Sequence, residues 1–121
     1  MKNTEFDIKK RTFQFALNII LLCKEIQKTE REYILTKQLI RSATSVGANI
    51  RESRNAQSKK DFIHKVSIAQ KECDETIYWI ELILASINSY EESLTPLLKE
   101  SNELMCILSS IIIKSKANLI C

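Results

Sequence analysis

Apolar residues recur along most of this chain in steps of three and four, the period of an α-helix rather than the two-residue alternation of a strand. The surest stretch is Phe62, Val66, Ala69, Cys73, Thr76, Ile80, Ile83 and Ile87, which keeps that spacing for nearly four heptads. Ile63, Ile77 and Leu84 flank it. Ser58 precedes this run with Asp61 three residues on, a capping-box pattern that opens a helix near 58 and carries it to about 88. A second stripe, Thr36, Leu39, Ala43, Val46, Ile50 and Ser53, predicts a helix over about 32–55 with a core of small residues. Gly47 falls inside it and is expected to let a neighbouring helix come close.

The first helix, about 6–27, carries two stripes. One is Phe13, Ala16, Ile20 and Cys23; the other is Phe15, Ile19, Leu22 and Ile26. That is more apolar surface than one bundle core requires. The fourth helix is expected over about 95–117, opened by Thr95 as cap and Pro96 at the first helical position. Leu98, Met105, Leu108 and Ile112 lead its stripe, and Ile111-Ile112-Ile113 is apolar all round the helix. The connections near 28–32, 55–58 and 88–95 are short, which makes successive helices antiparallel neighbours. The expected fold is all-α: one antiparallel, up-down-up-down four-helix bundle spanning 1–121. The second stripe of the first helix, Phe15, Ile19, Leu22 and Ile26, with Ile111 and Ile113, is the expected self-association surface.

Composition agrees. One Gly and one Pro in 121 residues are too few for the many turns of an all-β fold. Hydrophobic residues at 45% and charged residues at 27% suit a globular domain. No apolar run approaches the roughly 20 residues of a membrane span, and no signal-peptide core shows, so the expected location is the cytoplasm. Cys23, Cys73, Cys106 and Cys121 form no CxxC pair. The first three sit at helical spacing among apolar residues, as small core side chains would; Cys121 is expected to be exposed.

The net charge of +3 hides a division. Residues 37–71 sum to +6 and residues 72–103 to −7. In the expected bundle, Lys9, Lys10 and Arg11 meet Arg51, Arg54, Lys59, Lys60 and Lys65 at one end, with Lys114 and Lys116 nearby. Glu30, Glu32, Glu91, Glu92, Glu100 and Glu103 gather toward the other end. A concentrated basic end is the electrostatic footprint of a polyanion such as RNA or DNA. The start of the third helix also points backbone N–H groups there, which favours a phosphate. No aromatic residue except the core residue Phe62 is expected among these cations, which argues for backbone recognition over base stacking.

Catalytic and metal chemistry is poorly supplied. His64 is the only histidine, so the paired Glu-x-x-His motifs of a di-iron bundle cannot be built. One glycine cannot make a phosphate-binding loop. The Arg-to-His motif of the helical HEPN ribonucleases would need Arg at 57, 58 or 59, where Gln57, Ser58 and Lys59 stand. No cofactor and no metal are expected.

The stretch Lys37-Gln38-Leu39-Ile40-Arg41-Ser42-Ala43-Thr44-Ser45-Val46-Gly47-Ala48-Asn49-Ile50-Arg51-Glu52-Ser53 resembles the four-helix-bundle proteins encoded in 23S rRNA intervening sequences. Those read Gln-Leu, Arg-x-Ala, x-Ser-Ile and x-x-Asn-Ile-Ala-Glu-Gly. Ser58-Lys59-Lys60-Asp61-Phe62, Cys73-Asp74-Glu75-Thr76 and Trp79-x-Glu81-Leu82 also match that family's third helix. Arg51 stands where Ala is usual, and Ser53 where Gly is usual. The resemblance implies a four-helix bundle and a ring-forming homopentamer. It also brings in a relative, the accessory protein of diversity-generating retroelements, which binds nucleic acid and a reverse transcriptase.

Taken together, these readings make the chain a non-enzymatic, homo-oligomeric bundle that binds RNA or DNA backbone. The alternative is a protein-interaction scaffold with a protein partner, and a third is a ribonuclease using His64.

Overall fold

The computed structural model describes residues 4–120. It holds four helices: α1, Thr4–Glu30; α2, Ile34–Ser53; α3, Lys59–Ser86; and α4, Glu91–Ile120. A single 3-10 turn, Asn88–Tyr90, leads into α4. The described residues contain no strand.

Contacts between successive helices give the directions. Gly47 lies against Thr12, and Gln27 donates to Thr36, so α1 and α2 run antiparallel. Arg41 meets Glu72 while Lys65 meets Glu52, so α3 reverses again. Gln70 bonds Ser109, and the Cys73 thiol donates to the Ser101 carbonyl, which sets α4 antiparallel to α3. The backbone of each helix runs close to two others; among the described residues none of α1 comes near that of α3, nor α2 near α4, so these pairs sit at diagonal corners.

The helix ends follow from local chemistry. α1 stops where Arg31 takes a left-handed φ of 55°, a position that glycine commonly fills. Glu32 then caps α2, its carboxylate accepting the backbone N–H groups of Ile34, Leu35 and Thr36. Ser58 caps α3 as its spacing predicts, accepting the Asp61 N–H at 3.0 Å. α4 departs from expectation. It opens at Glu91, so Pro96 lies inside the helix instead of at its first position. Buried Tyr90 and Leu94 anchor this earlier start, and Tyr90 hydrogen-bonds Thr29 across the bundle end. Those contacts outweigh the one ladder bond that proline removes.

The expected α2 stripe is buried throughout: Thr36, Leu39, Ala43, Val46, Ile50 and Ser53. The α3 stripe is buried from Val66 to Ile83, while Phe62 and Ile87 are half-buried and Ile63 joins the core. On α1 the core line is Ile8, Thr12, Phe15, Ile19, Cys23 and Ile26. Phe15, Ile19 and Ile26, expected at an oligomer interface, are therefore core residues, and Leu22 packs half-buried against them. The face left over is Phe13, Leu17 and Leu21. On α4 the core line is Leu94, Ser101, Leu104, Leu108, Ile111 and Ser115, with Ile112 beside it. Leu98 and Met105 are only half-buried. Ser101 satisfies its hydroxyl by donating to the Leu97 and Leu98 carbonyls, which lets a serine occupy a core position and hides the line from a hydropathy reading. Of the expected interface residues, Ile111 is also buried and only Ile113, 67% exposed, faces outward.

Two of the three described cysteines behave as expected. Cys23 and Cys73 are buried, and burial pushes both thiols up to about 12. Cys106, expected in the core, is exposed. Cys121 lies outside the described residues.

Gly47 faces Thr12 of α1. A methyl group added there would lie 3.5 Å from the Thr12 carbonyl oxygen and hydroxyl, which is ordinary contact. Gly47→Ala is therefore expected to stabilise the fold by up to about 1 kcal/mol through helix propensity. Urea unfolding checks this; a lower midpoint would mean that the helices cannot accept the methyl.

Candidate nucleic-acid interface

The start of α1, the end of α2, the start of α3 and the end of α4 share one end of the bundle. Lys9, Lys10, Arg51, Arg54, Lys59 and Lys60 are all exposed there. Arg51 occupies the last turn of α2. Lys59 and Lys60 open α3. Lys114 and Lys116 are exposed toward the end of α4. Of these, Lys9, Arg51, Arg54, Lys59 and Lys60 form no ion pair among the described residues.

Two expected members are tied up. Arg11 makes a bidentate pair with Glu100, at 2.6 and 3.0 Å, and a further 2.9 Å bond to Glu103. Donation to the Glu100 carboxylate, which outweighs the opposing effect of burial, and then to Glu103 holds its guanidinium charged above the ordinary arginine range. Arg11 thus clamps α1 to α4. Glu100 and Glu103 consequently stand beside Arg11 and not among the far-end acids. Lys65 bonds Glu52 at 3.0 Å, and that hydrogen bond raises its pKa. Neither cation can be spent on a phosphate without breaking a link between helices.

The start of α3 is also occupied. Ser58 takes the Asp61 N–H, and the Asp61 carboxylate accepts the Gln57 N–H at 3.2 Å. A carboxylate held at a helix N-terminus interacts favourably with the dipole and repels a second anion. Of the N–H groups expected to seat a phosphate, that of Asp61 is thus taken by the chain itself. Cations on flexible stems remain as the available phosphate contacts.

The opposite end carries Glu30, Glu91 and Glu92, all exposed, with Ser89 donating to Glu30. Midway, Arg41 bridges Glu72 and Glu75, and Glu75 also accepts from the Trp79 indole at 3.1 Å. Acidic side chains that the sequence places in one block are thus partly neutralised across α2 and α3.

One feature escapes a reading of the pattern alone. Phe13, 64% exposed, lies one turn from Lys9 and across from Arg51, along a groove of ≈ 420 Å³ between α1 and α2. Leu17, Ile20, Gly47 and Ala48 continue its apolar wall. The 13-16-20 spacing on α1 is the signal that points to it, but Phe15 and its partners carry an equal one.

The described residues hold no cluster of three or more His, Cys, Asp or Glu fit for a metal ion. His64 is exposed and makes no hydrogen bond or ion pair among them. Among the described residues, no helix is long and apolar enough to cross a membrane.

The model of the 23S rRNA-intervening sequence protein family matches residues 4–110. A crystal structure from Bacteroides thetaiotaomicron VPI-5482, of a protein with unknown function from the S23 ribosomal protein family, is 39% identical over 91% of this chain and 98% of that one, with a TM-score of 0.87. This chain belongs to the 23S rRNA-intervening sequence protein family. No curated protein matches it. Two of the places where the chain departs from the motif that carries the resemblance lie at the basic end. Arg51, in place of Ala, is exposed and adds a cation. Ser53, in place of Gly, is buried and donates to the Ile50 carbonyl at 2.7 Å. The next residue, Arg54, keeps a right-handed φ of −70°, so this turn requires no glycine.

Proposed function

We propose that this protein is a non-enzymatic, cytoplasmic homo-oligomer that binds nucleic-acid backbone through its basic end. The observation that carries the reading is the cluster Lys9, Arg51, Arg54, Lys59 and Lys60, exposed at one end and committed to no carboxylate among the described residues. Cations of this kind neutralise phosphates and release counterions, which gives affinity without base sequence. Self-association supplies the rest. The surface suited to it is the exposed α1 line Phe13, Leu17 and Leu21, in place of the buried Phe15 set. In the pentameric ring that the family resemblance implies, basic ends held in parallel would add, and avidity would follow.

The test is binding of purified protein to structured RNA and to duplex DNA across a salt series, with the oligomer mass measured in parallel. Affinity should fall steeply with salt, with a slope of about −0.9 per neutralised phosphate on duplex DNA. Absence of binding at low salt would refute the reading.

The second reading is a protein-interaction scaffold, favoured by the same apolar α1 face and its groove. Partners retained after nuclease treatment would support it over the first.

A further inference from the structure

α3 has one line of residues that its packing leaves open. Its buried side is Val66, Ala69, Cys73, Thr76 and Ile80. The flank toward α2 holds Lys65 and Glu72, bonded to Glu52 and Arg41. The flank toward α4 holds Gln70, bonded to Ser109. The outward line runs on through exposed Asp74, Tyr78 and Glu81, but its first stretch is Lys60, His64 and Lys71, spaced by four and seven residues and exposed at each position. It begins at the basic end and spans about 16 Å at 1.5 Å per residue. Resting on the reading above, we infer that the phosphodiester-binding surface continues from the bundle end along this line.

Two observations favour the extension. The nearby carboxylates are engaged: Asp61 accepts the Gln57 N–H, Glu52 is held by Lys65, and Glu72 and Glu75 by Arg41. A backbone following the line therefore meets cations before it meets Asp74, exposed one turn beyond Lys71. The line also stays open in an assembly built on α1, because α3 occupies the diagonal corner.

The experiment measures affinity for a structured RNA and for a duplex DNA over a salt series. It compares the intact chain with Lys71→Gln and His64→Lys, after circular dichroism shows each variant folded. Lys71→Gln should lower the salt slope by about one phosphate, and His64→Lys, which places a fixed cation on the line, should raise it by about one. A Lys71→Gln or a His64→Lys chain with the intact chain's slope overturns the inference while leaving the basic end in place. An intact chain that binds neither probe overturns both.

Discussion

Replacing Arg51, Arg54, Lys59 and Lys60 together with Gln is expected to abolish nucleic-acid binding at physiological salt while leaving the helical content unchanged. All four are exposed and hold no carboxylate among the described residues, so their removal breaks no ion pair between helices. Each phosphate left without its cation should take about 0.9 from the salt slope on duplex DNA, so the four together should flatten it by up to about 3.6. At 0.1–0.2 M salt that corresponds to at least about a hundredfold in affinity. Arg11 makes the contrast. Arg11→Ala breaks the clamp to Glu100 and Glu103, so it should lower stability and leave the salt slope nearly unchanged. Filter binding for affinity and circular dichroism for folding separate the two. A quadruple variant that binds with the original slope would remove the basic end from consideration.

Phe15→Ala should cost about 3–5 kcal/mol, because Phe15 is 1% exposed and its ring fills the space between α1 and its neighbours. For a domain of this size that lowers the melting temperature by roughly 12–20 °C. Phe13→Ala, two residues away and 64% exposed, should change the stability of the subunit by no more than about 0.5 kcal/mol. It should instead weaken self-association, visible as a fall in mass at low concentration. Thermal unfolding and light scattering on the two variants read this directly. If Phe13→Ala unfolded the protein and Phe15→Ala spared it, the register of α1 would be the reverse of the one described.

These two phenylalanines mark the boundary of what the pattern discloses. α1 carries two apolar lines of similar strength, and hydropathy alone cannot rank them. Ile8 and Thr12 extend the line through Phe15, but Thr12 is polar and breaks its apolar signature. The same reason conceals the α4 line, where Ser101 and Ser115 occupy core positions. The charge pattern is legible as a division along the chain. Pairing is not, because a salt bridge depends on which side chains meet across helices 89 or 92 positions apart, as Arg11 and Glu100 or Glu103 do.

The sequence by itself determined the number of helices, the capped start of α3, the small-residue core of α2 and the basic cluster around residues 51–60. Those features depend on local periodicity and on a near absence of Gly and Pro, and both are written in consecutive residues. Only the tertiary structure decided which α1 face is core, that α4 begins at Glu91, and which cations are committed to carboxylates. Each of those outcomes is a choice between locally equivalent options. A helix with two apolar faces buries whichever one its neighbours can cover, and a cation pairs with whichever carboxylate the packing brings within reach.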